Sequence, residues 1–147
     1  MLGRLTDVLK NKGDNVLFIS PDQTVGDAVS LMDEKRIGAL LVMEGDSLIG
    51  IFTERDVLRR VVAAGREVAS TKVGEVMTRE IVTVKSSLHI EDAMAVLTEK
   101  HCRHLPVVED GRVEGVVSIG DLTMWVNRDR EVQIKQLVDY ISGKYPA

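Results

Sequence analysis

Aromatic residues are scarce in this sequence, 3% of 147 positions, so any core it forms is built from Val, Leu, Ile, Ala and Met. A single cysteine, Cys102, excludes an internal disulfide and fits a reducing compartment. Positive charge is not in excess: the net charge of −4 speaks against non-specific nucleic-acid binding, which needs a basic surface to neutralise phosphates. Long apolar runs are missing too. None is longer than the five residues of Ala39 to Met43, far short of the roughly 20 residues that cross a bilayer, and the N-terminus has no apolar stretch ahead of a small-residue cleavage site. These absences lead us to expect a cytoplasmic protein with neither nucleic acid nor membrane as a partner. Any anion it binds is held by local donors.

What is present is a repeat. Asp27-Ala28 falls on Asp92-Ala93, Glu34-Lys35 on Glu99-Lys100, Leu40 on Leu105, Val42 on Val107, Gly50 on Gly115, Asp56 on Asp121 and Val61 on Val126, each pair 65 residues apart without a gap. Two copies of that length are a tandem of small units rather than a solenoid. At 147 residues the chain suits one domain, or two units that share a core because neither buries enough surface alone.

Each copy reads as strand, helix, strand, strand, helix, an α/β unit. A β-branched stretch (Val16 to Ile19; Ile81 to Val84) precedes a helical stripe, Val25, Ala28, Val29 and Met32 in copy one and Ile90, Ala93, Met94 and Leu97 in copy two. Two apolar runs split by a turn follow: Ala39 to Met43 and Leu48 to Phe52, then His104 to Val108 and Val113 to Val117. Asp110-Gly111 between the second pair is a hairpin signal, because both residues tolerate positive φ. The second helix of copy one is expected to face inward with Val57, Leu58, Val61 and Val62. Outside the repeat, Thr6 to Lys12 reads as a leading helix and Arg130 to Ser142 as a closing one with Ile134, Leu137, Val138 and Ile141 along one face. The expected division is 1–13 leading helix, 14–64 unit one, 65–78 connector, 79–127 unit two and 128–147 closing helix.

One motif recurs at the same point of each copy, "GIFTERD" from Gly50 and "GVVSIGD" from Gly115. Thr53 with Asp56, and Ser118 with Asp121, have the spacing of a capping box: the hydroxyl accepts from the backbone N–H three residues on, and the acidic residue reciprocates. Capping does not compete with binding. A helix N-terminus stabilises a phosphate, the hydroxyl can add a donor, and an ionised aspartate can accept from both hydroxyls of a ribose. Gly50 and Gly115 could let a flat base or sugar approach the backbone.

The repeat, the element order and the paired glycine–hydroxyl–aspartate motifs resemble a tandem cystathionine-β-synthase (CBS) domain pair, over about residues 14 to 127. The resemblance implies two units packed with pseudo-two-fold symmetry and two clefts that bind adenosine compounds, with AMP or NAD(H) foremost. It also implies that Thr53 and Ser118 meet phosphate while Asp56 and Asp121 meet ribose. Lys12 and Thr78 lie just before each copy, where relatives hold adenine with backbone groups. Gly38 and Ala39 lie where the base would sit, as do Arg103, His104 and Pro106 of "CRHLPV", and Ile81 is a further ligand-binding candidate. Arg55 is matched by Gly120, so the two sites should be unequal, copy two tighter for AMP and copy one favouring more phosphate.

Other candidates have plainer explanations. His101, Cys102 and His104 could suggest zinc, but a zinc site needs three or four converging ligands, and Cys102 aligns with the apolar Ile37. The six methionines occupy apolar helical positions or flank strands, as core residues do. Glu44, Asp46, Glu109 and Asp110 lie in hairpin turns. No nucleophile–base pair or complete phosphate loop is present, so the expected function is a non-catalytic nucleotide sensor, a homodimer that regulates a partner protein. The alternatives are a structural dimerisation module with vestigial clefts and a small NAD-linked redox protein using Cys102.

Overall fold

The computed structural model describes residues 2–13 and 16–141. Ser142, the expected end of the closing helix, lies outside them. In chain order the elements are α1 (Leu5–Lys12), β1 (Phe18–Ile19), α2 (Val25–Lys35), β2 (Ala39–Glu44), β3 (Ser47–Thr53), α3 (Glu54–Asp56) running into a π-helical stretch Val57–Val62, α4 (Val73–Val76), α5 (Ile90–Glu99), β4 (His104–Glu109), β5 (Arg112–Ser118) and α6 (Ile119–Ile141). The fold is mixed α/β, two copies of one unit. The chain divides into two compact bodies, Asn15–Thr83 on one side and Met1–Asp14 with Val84–Ala147 on the other.

In the first body β2 lies between β1, parallel to it, and β3, antiparallel to it. α2 begins at a capping box: Asp27 N–H donates to Thr24 Oγ1 at 3.1 Å and Thr24 N–H to Asp27 Oδ2 at 3.3 Å. Val25, Ala28 and Met32 enter the core, but Val29 is 36% exposed, because one helix contacts the sheet only along the centre of its apolar stripe. The second helix departs further from expectation. Val61 is buried and Val57 half-buried, whereas Leu58 and Val62 stand exposed. The stretch is π-helical, with Ala63 N–H bonding to Leu58 O and Arg66 N–H to Val61 O, so successive side chains rotate away from the 3.6-residue stripe.

In the second body β4 and β5 form an antiparallel pair, with Asp110 (φ 49) and Gly111 (φ 77) making the turn. Ile90, Ala93, Leu97, Leu105, Val107, Val117 and Leu122 are buried, and Met94 is half-buried. The strand expected at Ile81 to Val84 shrinks to one parallel bridge, Val84 to Val107. Pro106 withholds one of the hydrogen bonds such a strand needs. In copy one Leu41 N–H donates to Leu17 O at 3.2 Å, and Pro106, its counterpart 65 residues on, has no N–H to give. The closing helix expected from Arg130 is the far half of the unbroken α6.

Each body also contains a short segment outside its own copy. Val25 N–H bonds to Thr71 O, Val73 N–H to Gln23 O and Gly74 N–H to Pro21 O; in the second body Ile90 N–H bonds to Gly3 O, Leu5 N–H to Leu88 O and Thr6 N–H to Ser86 O. The copy residues in these pairs differ by 65 and the segment residues by 68. The connector is therefore built into copy one, where Val73, Val76 and Met77 are at most 2% exposed. The N-terminal segment does the same for copy two through Leu5 and Val8.

Candidate functional site

Both recurring motifs sit where a strand turns into a helix. Thr53 ends β3 and Ser118 ends β5. Their partners begin β2 and β4: Ala39 pairs with Thr53 and His104 with Ser118. The turn is fixed identically in both copies, by Glu54 N–H to Gly38 O at 3.1 Å and Ile119 N–H to Arg103 O at 2.8 Å. Pro106, buried in β4, lies opposite Val116.

The capping boxes form. Thr53 N–H donates to Asp56 Oδ2 at 3.0 Å and Asp56 N–H to Thr53 Oγ1 at 3.3 Å. The corresponding distances for Ser118 and Asp121 are 2.9 and 3.0 Å. The aspartates differ in what else reaches them. Thr53 Oγ1 also donates to Asp56 Oδ2 at 3.3 Å, Thr78 Oγ1 donates to its Oδ1 at 2.9 Å, and Arg60 Nε lies 3.5 Å from the same oxygen. With its side chain 6% exposed, Asp56 is enclosed. Asp121 is 24% exposed at its side chain and takes Lys12 Nζ on Oδ2 at 2.8 Å. Burial alone would raise its carboxyl, but the hydrogen bonds from Lys12 and the Ser118 N–H, with the lysine charge, outweigh it and hold the group below the usual carboxylate range.

The thirteen candidate positions thus fall into two sets. Gly38, Ala39, Thr53, Arg55, Asp56, Thr78 and Ile81 belong to the first body, and Lys12, Arg103, His104, Pro106, Ser118 and Asp121 to the second. Thr78 meets Asp56 by its hydroxyl, and Lys12 meets Asp121 by its ammonium rather than by backbone groups. Arg55 is exposed in α3, and Ile81 is half-buried in irregular chain. Gly38 also lines a cavity of about 510 Å³ together with Val29, Met32, Arg36 and Val57; neither Thr53 nor Asp56 reaches it.

The motif glycines serve a different purpose from the one expected. A Cβ at Gly50 would lie 2.6 Å from Met77 Sδ and 3.0 Å from Thr78 O, and one at Gly115 would lie 2.7 Å from Leu9 Cδ2. Each glycine admits the short segment packed across its strand, so the close approach to this backbone is made by protein. Sequence reasoning also missed Arg60, which donates to Met77 O at 2.9 Å as well as approaching Asp56. A signal for the packed segments does exist: Leu5, Val8 and Leu9 match Val73, Val76 and Met77 at a spacing of 68, three residues out of step with the main repeat.

Cys102 is half-buried, and burial pushes its thiol up against a smaller lowering effect of a backbone hydrogen bond, which is the wrong direction for a reactive thiolate. Among the described residues no cluster of three or more His, Cys, Asp or Glu could hold a metal ion, and no helix is long and apolar enough to cross a membrane.

Compared with known proteins, the CBS domain family matches twice, at residues 6–63 and 73–128. The chain belongs to the CBS domain family. It is 39% identical over 150 residues to the CBS domain-containing protein CBSX3, mitochondrial, of Arabidopsis thaliana, an alignment covering 96% of this chain and 73% of that protein. To the CBS domain-containing protein YhcV of Bacillus subtilis it is 38% identical over 109 residues, 74% of this chain and 77% of that one. The solved structure of a protein with CBS domains from Burkholderia ambifaria superposes with a TM-score of 0.80 at 41% identity, over 85% of this chain and 92% of that one. The CBS pair accounts for both the 65-residue repeat and the element order.

Proposed function

We propose that this CBS-pair protein is a non-catalytic regulatory module that binds an adenine nucleotide, AMP or NAD(H), and acts on a partner protein as a cytoplasmic homodimer. The observation that carries the reading is Asp121. It is ionised at neutral pH, held at the first turn of a 23-residue helix beside the Ser118 hydroxyl, and partly open to solvent. A phosphate favours the helix N-terminus and a hydroxyl donor, while a ribose diol favours a carboxylate acceptor. Family membership supports the same ligand class, and the raised Cys102 thiol argues against the redox alternative. The homodimer rests on α6, where Ile134, Leu137 and Ile141 are 60%, 60% and 74% exposed, a stripe that a two-fold partner would cover. Mass spectrometry of small molecules released from the native protein, with melting curves in AMP and NADH, tests the function. At about 100 times its dissociation constant a ligand adds roughly 2.7 kcal/mol, which raises the melting temperature by about 5–10 °C. No released nucleotide and no shift with either compound would refute it.

A further inference from the structure

Two apolar surfaces of this chain stand exposed, one concave and one convex. The concave one belongs to the first body, where α2 and the helix that follows β3 flank the groove of about 510 Å³, lined by the apolar Val29, Ile37 and Val57 and by the exposed charges Asp33, Arg36 and Glu54. Beyond Val57 the π-helical stretch adds Leu58 and Val62, 61% and 63% exposed. At the 65-residue spacing their counterparts are Thr123 and Asn127, so this apolar surface is particular to unit one. The convex surface is the far end of α6. Ile134, Leu137, Val138 and Ile141 recur at i, i+3, i+4 and i+7 and are each more than half exposed, the pattern of an amphipathic helix that lies in an apolar groove.

Two α6 stripes packed on each other would bury two helical turns from each chain, little beside the roughly 800 Å² per partner of a stable interface. Laid reciprocally into two grooves, the stripes cover Val29, Leu58 and Val62 as well, and a two-fold axis makes the contact twice. Charge agrees with this arrangement. Arg130 falls on the line of the stripe one turn before Ile134, and the groove lining is net acidic, Asp33 and Glu54 against Arg36. We propose that two copies of this protein pair reciprocally, the far end of α6 in each lying in the unit-one groove of the other. The proposal rests on the homodimer put forward above and not on its nucleotide.

Light scattering and disulfide trapping test it on the full chain. Leu58→Glu in the groove and Leu137→Glu on the helix each put a charge into the docked contact, and each should raise the dimer dissociation constant at least about tenfold. Both side chains are exposed, and circular dichroism on each variant reports its folding independently of assembly. For trapping, in a Cys102→Ser background, copies carrying Val62→Cys are mixed with copies carrying Leu137→Cys and oxidised; mixed disulfide dimers should exceed either like pair. Like pairs of Leu137→Cys alone would show α6 packed on α6, and like pairs of Val62→Cys alone would show groove against groove. Either result, or no mixed disulfide at all, overturns the reciprocal arrangement while leaving a homodimer, as does a dissociation constant that Leu58→Glu leaves within about threefold of wild type. A wild type that stays monomeric at high concentration removes the homodimer and this inference with it.

Discussion

Asp56 and Asp121 occupy the same place in two copies of one fold, and the chain treats them oppositely. Both close a capping box, which the Thr/Ser–x–x–Asp spacing dictates. Asp56 then becomes an internal anchor, 6% exposed at its side chain and reached by Thr53, Thr78 and Arg60. Asp121 stays 24% exposed at its side chain and pairs with a lysine. Duplication copied the local signal, whereas the contacts that decide each carboxylate's role come from short segments that are not equivalent past their first helical turn. α4 stops after four residues, delivering Thr78 as extended chain, while α1 runs on for eight and delivers Lys12 as a side chain. A duplicated motif therefore does not imply duplicated contacts.

The most severe way to break this comparison is to remove both anchors. Asp56→Ala leaves the Thr53 N–H and the Thr78 hydroxyl without their acceptor in an enclosed site, while the half-exposed Arg60 keeps water and the Met77 carbonyl, and should cost about 2–3 kcal/mol. Asp121→Ala loses a cap and a part-exposed ion pair, and should cost about 1 kcal/mol. Urea unfolding of both variants without nucleotide measures the difference. Equal losses would mean that the enclosure of Asp56 has no energetic counterpart.

The glycines give the next contrast. A Cβ at Gly50 meets Met77 Sδ and, at 3.0 Å, the Thr78 carbonyl, which belongs to backbone bonded to β3; at Gly115 the three nearest atoms all belong to the Leu9 side chain. Gly50→Ala should cost about 2 kcal/mol through overpacking, and Gly115→Ala less than about 1 kcal/mol, because Leu9 can change rotamer. The same urea midpoints check this, and a reversed order would refute it.

Much of the fold was legible because local patterns and tertiary roles agree. The 65-residue register, the hairpins at Gly45 and Gly111 and the Thr/Ser–Asp turns are all set within a few residues of sequence. The rest depended on what crosses over. Nothing near Gly50 announces Met77, and Lys12 resembles any helix-terminal cation until its ammonium is seen between Val116 O and Asp121. The π-helical turn of Val57–Val62 was hidden for a related reason. Its apolar residues read as an ordinary stripe, and only its hydrogen bonds show that Leu58 and Val62 point away.

A smaller effect sharpens the Asp121 side. Its native carboxyl lies below the usual range, so the unfolded chain binds the proton more readily than the folded one. The resulting stability is complete above the unfolded value near 4 and fades as pH falls through the lower native value. Lys12→Met removes much of the cause and should flatten stability against pH in that acid window, with little change at pH 7 beyond the modest worth of a part-exposed pair. Denaturant midpoints between about pH 2 and pH 5 measure the slope, and a variant as steep as wild type would contradict the role given to Lys12.

The smallest expected effect concerns the strand that copy two lost. Pro106 stands where Leu41 gives its N–H to Leu17 O, and its carbonyl still accepts from Val84 N–H at 3.1 Å, so the far side of β4 is half paired. Pro106→Leu returns the missing donor beside the Val84 bridge. The new hydrogen bond should contribute about 1 kcal/mol, and the freer unfolded chain should offset about 0.4–1 kcal/mol of that, leaving the unfolding midpoint nearly unmoved. The discriminating measurement is amide exchange. A slowly exchanging N–H at position 106 and added protection at Val84 would show that one missing donor separates the two sheets, whereas fast exchange at position 106 would place the cause elsewhere in residues 81–84.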